Sequence, residues 1–336
     1  MKNKNIFMYR AIQLAKNGLG LTYPNPMVGC VIEKNGLILS EGWYKKGELH
    51  AVKNAINNIK KKIFLKKSTI YLTLEPCINR IKKISCVDLI IKNYISTVVI
   101  GITNPNPKIK GLGIKKLKNN GIKVIENILI DECRFLNKRL FTFYEKKRPF
   151  IILKIEQSED GYIDFFLKKK INFIQNLYYQ QLNNKWRSEE NSVFIRKKNF
   201  FNKKKNIKNW EGNIPIKIFL DKNLSRYPTF LSKRTKTIIF KNKKKIKFFQ
   251  ILFKKNLINN ILYFLYKMNI VSVLIEIGGD KIILEKFIKK NIWDESRIFI
   301  YKNIFLKKGL KIPVINGKVI KKININKDQL IIKKPF

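Results

Sequence analysis

TIYLTLEPCINRIKKISC, residues 69–86, decides the fold. Its first six residues are apolar, β-branched or aromatic and read as a strand. Pro76 and Cys77 follow at the strand's end, and Cys86 opens a helical stretch that reaches Asn93. Upstream, a Gly-containing turn leads into His50, which opens another helix-like stretch to Ile59. Zinc takes three or four N and S donors, and a catalytic site keeps one position open. Thiols close to helix N-termini are lowered in pKa by the helix dipole, which favours metal binding. A lone His and two Cys would also pass as small buried core residues. The Pro76-Cys77 pair after a strand, with His50-Ala51 upstream, favours the metal reading. His50, Cys77 and Cys86 are the candidate metal ligands.

Working outward, residues 5–18 have helical spacing and stop at Gly18 and Gly20. Strands at 28–33 and 37–43 flank Asn35-Gly36, a strong hairpin signal. A strand at 98–102, a helix at 113–120 and a strand at 122–125 complete a layered α/β domain, helices covering a mixed sheet. The polar EKKRP run at 145–149 precedes a new apolar strand, 150–155, which divides the chain into domains 1–146 and 147–336. The second half alternates again, with strands near 192–196, 216–221, 236–240 and 271–276. Helices are expected near 174–187, 256–268 and 280–290, and the KKNFFNKKKNIK run at 197–208 reads as an exposed loop. A chain of 336 residues is long enough for two cores.

The formal net charge of +48 would ordinarily point to nucleic acid or an anionic membrane. Only ten of the 71 basic residues are Arg, the residue suited to bidentate phosphate and base contacts. Lys is accompanied throughout by Ile, Asn and Phe, and just four Ala occur, as in a chain drawn from AT-rich codons. Most Lys therefore read as solvated surface, with neither nucleic acid nor membrane as partner. Four Cys exclude a disulfide-dense scaffold, and no signal peptide or membrane-length apolar run is visible. A cytoplasmic protein is expected.

PNPMVGCV (24–31), His50-Ala51, TLEPC (73–77), NPNP (104–107) and Gly111-Leu-Gly113 resemble the N-terminal half of the bifunctional riboflavin-biosynthesis deaminase–reductases. The eight residues between Cys77 and Cys86 match that family's spacing. RPF (148–150), Lys154, SEDG (158–161), KWRSEE (185–190), Leu220-Asp221 with Leu224, Arg226 and Pro228, Glu276 and WDE (293–295) are similar to its reductase half. The resemblance implies a cytidine-deaminase-like α/β/α domain followed by a dihydrofolate-reductase-like α/β domain. It implies zinc on His50, Cys77 and Cys86, and NADPH in the second domain. The substrate would be a small-molecule pyrimidine ribosyl phosphate, deaminated first and then reduced from ribosyl to ribityl. Arg187 and Glu276 would bind substrate, and Gln157, Gly278 and Gly279 the cofactor. Pairing through the reductase domain would give a homodimer.

Several positions depart from the family. Its deaminases read His-Ala-Glu, the Glu shuttling protons, where this chain reads His50-Ala51-Val52. Glu48 would project elsewhere, so no residue is assigned as the catalytic acid–base. The inter-cysteine loop, residues 78–85, keeps only Arg80 in kind. In the second half, residues 173–175, 196–199 and 203–205 replace polar family positions; the last makes an acidic motif basic, and those lysines could attract phosphates. Ile277 separates Glu276 from its glycine pair, and Asp221 reads equally as a site residue or a turn cap. Three readings follow: a bifunctional enzyme that works poorly on both steps, a monofunctional reductase on a zinc-stabilised scaffold, or a basic nucleic-acid-binding protein.

Overall fold

The structure, a computed structural model, describes residues 2–78, 84–163, 177–195, 213–221, 237–241, 257–276 and 281–336. The chain divides into two compact units, Met1–Lys147 and Arg148–Phe336. Arg80, Leu224, Arg226, Pro228, Gly278, Gly279 and residues 173–175, 196–208 and 277 lie outside the described residues.

In the first unit, α1 (Lys2–Lys16) precedes the hairpin β1 (Gly29–Lys34) and β2 (Leu37–Trp43). Asn35 and Gly36 both have positive φ, 53° and 82°, the backbone that a tight two-residue hairpin demands. Then come α2 (Ala51–Asn57), β3 (Thr69–Leu72), α3 (Cys86–Lys92), β4 (Thr97–Ile100), α4 (Leu112–Asn119) and β5 (Lys123–Ile125). Two further helices, α5 (Ile130–Leu136) and α6 (Lys138–Glu145), close the unit. The sheet order is β2-β1-β3-β4-β5, antiparallel around β1 and parallel from β3 to β5.

Strand alternation sorts the core into two layers. Val31, Tyr71 and Val99 pack with Met8, Ala11 and Cys133 on one face. Cys30, Ile32, Ile70, Leu72, Val98 and Ile100 pack with α2, α3 and α4 on the other. All four alanines of this Ala-poor chain are buried in α1 and α2. A Cβ at Gly42 would stand 2.4 Å from the Ala51 carbonyl oxygen and 2.7 Å from the Ala55 nitrogen, so α2 lies directly on β2. Those atoms are backbone and cannot swing aside. Gly42→Ala should cost about 1–3 kcal/mol by overpacking and displace the helix that presents His50; urea unfolding with metal titration measures both.

The second unit begins with β6 (Phe150–Ser158), β7 (Tyr162–Ile163), α7 (Leu177–Ser188), β8 (Ser192–Ile195), β9 (Ile216–Asp221) and β10 (Thr237–Lys241). It continues with α8 (Leu257–Lys267), β11 (Ser272–Glu276), α9 (Lys281–Lys289), β12 (Glu295–Tyr301), β13 (Leu310–Lys311), β14 (Lys318–Ile325) and β15 (Asp328–Lys334). Its large sheet runs β10-β9-β8-β11-β6-β12-β15-β14, parallel from β10 to β12 and closed by an antiparallel hairpin. Odd-numbered residues of β6 (Ile151, Leu153, Ile155) pack under α8 and α9. Even-numbered Phe150 and Ile152 face Tyr179 and Trp186 of α7. The same alternation carries Lys154 and Glu156 to the α7 side. Among the described residues no helix is long and apolar enough to cross a membrane.

Candidate functional site

His50 is the extended N-cap residue of α2, and Cys86 is the first residue of α3, whose cap Ser85 accepts the Asp88 N–H at 3.0 Å. Cys77 lies in the loop after β3, not at a helix start. The Val87 N–H donates to its carbonyl at 3.3 Å, which holds the loop against the first turn of α3. Three separate elements thus deliver three donors whose ligand atoms all lie within 4.8 Å of one another. Both Cys77 Sγ and Cys86 Sγ stand 3.4 Å from His50 Nδ1. A tetrahedral zinc with ordinary Zn–N and Zn–S lengths separates its N and S ligands by about 3.5 Å.

The electrostatics point the same way. A hydrogen bond from Cys86, reinforced by His50, pulls the Cys77 thiol down to about 4 against the opposing effect of burial. Donating that proton, together with burial, pushes Cys86 up. Two sulfurs sharing one proton, one buried and one half-buried, become a pair of thiolates only beside a cation. The donor set, its spacing and its charge fit a zinc ion.

The triad opens into a cavity of about 240 Å³ walled by Pro24, Pro26, Val28, Leu72, Leu74 and Leu140, with Asn25, Asn104 and Asn106 as polar points. Tyr44 meets the His50 ring edge-on at 5.3 Å, and its hydroxyl accepts from Asn25 Nδ2 at 2.8 Å. Val52 forms part of the same wall, 2% exposed. Glu48 is tied to Lys45 at 3.0 Å, half exposed, and does not line the cavity. Glu75 is the one carboxylate among the described lining residues.

In the second unit, Arg187 and Glu276, 89 residues apart, are brought together. Arg187 Nε donates to both carboxylate oxygens at 2.9 and 3.0 Å, and Nη2 donates to Oε2 at 2.6 Å. Lys154 Nζ adds a bond to Glu276 at 3.2 Å and pairs with Glu156 at 3.0 Å. Burial alone would raise Glu276, but Arg187 and Lys154 outweigh it and hold the carboxyl at about 2. Glu276 ends β11, at the C-terminal edge of the parallel strands where α/β sheets take ligands. Gln157 lies on β6 opposite Ile300, and Asp221 is the last residue of β9. Lys154 and Glu156 were not assigned as site residues from sequence. Their signal was two ionisable groups, at i and i+2, on one face of a strand that is otherwise apolar there.

Other fragments that carried the resemblance hold the fold together. Arg148 pairs with Asp294, which also accepts the Ile151 N–H at 2.9 Å. Glu159 and Asp160 accept backbone N–H groups of Asn303, Leu306 and Lys307. Arg297, stacked on Trp186, pairs with Glu295 at 2.7 Å and Glu190 at 3.7 Å.

A three-layer α/β/α unit presenting His, Cys and Cys at helix starts and a strand end, followed by a sheet with a charged C-terminal edge, defines a cytidine-deaminase-like domain joined to a reductase-like domain. Residues 1–102 match the family of the cytidine and deoxycytidylate deaminase zinc-binding region. Riboflavin biosynthesis protein RibD of Actinobacillus pleuropneumoniae is 44% identical over 158 residues, which are 47% of this chain and 42% of that protein. A diaminohydroxyphosphoribosylamino-pyrimidine deaminase of Buchnera aphidicola subsp. Schizaphis graminum is 45% identical over 142 residues, 95% of its length. The crystal structure of a diaminohydroxyphosphoribosylaminopyrimidine deaminase/5-amino-6-(5-phosphoribosylamino)uracil reductase from Thermotoga maritima covers all of this chain at 30% identity and a TM-score of 0.86. The chain belongs to the riboflavin-biosynthesis deaminase–reductase family. The stretch it shares with the first of these relatives is less than half of that relative's length.

Proposed function

We propose that this chain serves riboflavin biosynthesis in two steps. Its first half removes an amino group from a pyrimidine ribosyl phosphate, and its second half reduces the ribosyl group to ribityl with NADPH. The observation that supports this most is the His50–Cys77–Cys86 triad at a cavity wall, in a chain 30% identical to a deaminase/reductase of known structure. Zinc held there would act as a Lewis acid and lower the pKa of a bound water. The proline and leucine walls would flank a planar ring and exclude bulk water, while Asn25, Asn104 and Asn106 offer polar contacts. In the second half, Arg187, Lys154 and Glu276 would meet the substrate, and Gln157 with the Gly278-Gly279 pair would bind NADPH, as the family resemblance implies.

Among the described lining residues no carboxylate is free to carry the proton. Val52 has no titratable group, and the Glu75 oxygens are all engaged by backbone N–H groups. The deaminase step is therefore slower by about 10²–10⁴-fold than with a positioned carboxylate. This also favours a second reading, a reductase whose N-terminal half persists as a zinc-stabilised scaffold. Purified protein is expected to carry one zinc per chain, to release ammonia slowly, and to oxidise NADPH with the deaminated substrate. Rapid ammonia release would sink the role given to Val52. Failure both to bind and to oxidise NADPH would remove the reductase as well.

A further inference from the structure

We infer that Glu75 is a positioning residue of the metal pocket, clamping the loop that forms the cavity's lip to the loop that carries Cys77. In this role it presupposes that the triad holds a metal. Glu75 Oε2 accepts the N–H groups of Asn104 at 3.1 Å and Gly111 at 3.0 Å. Its Oε1 accepts those of Gly113 at 2.9 Å and Ile114 at 3.4 Å. The side chain is buried, and its own N–H donates to the Ile102 carbonyl at 3.0 Å. Hydrogen bonds to an ionised acceptor are stronger than neutral ones. The Gly113 and Ile114 groups also belong to the first turn of α4, where helix N–H groups lack intrahelical partners and the dipole favours negative charge.

The fit is specific to this contact. A Cβ on Gly113 would stand 2.4 Å from the Pro76 carbonyl oxygen and 3.2 Å from Glu75 Oε1. The approach of α4 to the Pro76-Cys77 backbone and the grip of Glu75 are therefore one interaction. Within the lip, Asn104 Oδ1 accepts the Asn106 N–H and Asn106 Oδ1 accepts the Lys108 N–H, at 3.0 and 3.1 Å. Those bonds shape the loop, and Glu75 sets where it sits relative to Cys77. Asn104, Asn106 and Ile109, all of the cavity wall, follow that placement.

The test uses the full chain loaded with cobalt(II), whose thiolate absorption reports ligand geometry. Glu75→Gln keeps the shape but leaves a single acceptor oxygen; Gly113→Ala keeps the carboxylate and pushes α4 away from it. Both are expected to alter the cobalt spectrum, to speed metal release to a chelator by about 10–100-fold, and to weaken binding of cytidine 5′-monophosphate. Lys118→Ala, which removes the exposed pair with Glu126 in the last turn of α4, should leave all three unchanged. Amide exchange across residues 104–114, read by mass spectrometry, should quicken in both clamp variants. A lower unfolding temperature with unaltered spectrum, release and nucleotide binding would overturn the role. If Glu75→Gln does not fold, Gly113→Ala decides alone. If the unaltered chain takes up no cobalt, the metal reading fails; exchange and nucleotide binding then decide whether the clamp holds the lip.

Discussion

Val52→Glu raises ammonia release from the pyrimidine substrate by about 10²–10⁴-fold, the range for restoring a positioned acid–base group. Val52 is the second residue of α2, two after the capping His50, and it lines the cavity beside Cys77 and Cys86. A carboxylate there meets the positive end of the helix dipole, so the backbone position favours the charge it would receive. It also has the cavity to extend into, whereas Val52 gives that wall only an apolar surface continuous with the core. Val52→Gln has the same length and no exchangeable acid. It should bind metal equally well and release no more ammonia than the unaltered chain. Coupled measurement of ammonia at matched zinc content separates the two. Equal rates for Gln and Glu would mean that polarity, not proton transfer, was the missing ingredient.

The meeting of His50, Cys77 and Cys86 was legible because its parts are set by short-range chemistry. A thiol after a strand, a thiol opening a helix and a capping imidazole each leave a local signal, and the hairpin at Asn35-Gly36 does the same for the sheet. What stayed hidden depended on long-range partners. Helix α5 starts after Leu129 in a left-handed conformation, with no glycine to mark it, and α6 begins immediately past Asn137. Strand β14 is exposed along most of its length, so no apolar alternation betrays it; only pairing with β15 defines it. Glu75 reads as part of a metal motif in the sequence, yet its partners lie about thirty to forty residues downstream. Arg187 and Glu276 could each be singled out as site residues. That each is the other's main electrostatic partner could not be read from either.

That mutual pairing carries the last expectation. Arg187→Ala should destabilise the second unit by about 3 kcal/mol, the lower end for a broken buried ion pair because Arg187 is one-quarter exposed. Glu276 then keeps Lys154 alone against its burial, and its carboxyl rises from about 2 toward or beyond the ordinary 4.5. The sign follows from that direction. A carboxyl depressed in the fold contributes stability that is complete above the unfolded value and disappears as pH falls through the folded one. The gap between unaltered protein and Arg187→Ala should therefore be widest near neutral pH and close between about pH 4.5 and pH 2. Urea unfolding across that window measures it, and a gap of constant width would show that the ion pair is not the stabilising unit. Arg187→Ala combined with Glu276→Gln should cost less than the two changes summed, because each alone strands the other's charge. Arg187→Lys separates fold from function: it keeps the charge but loses the planar fork. If Arg187 also grips substrate, this variant raises KM for the reductase step while much of the stability remains. If KM holds and only stability falls, Arg187 belongs to the scaffold.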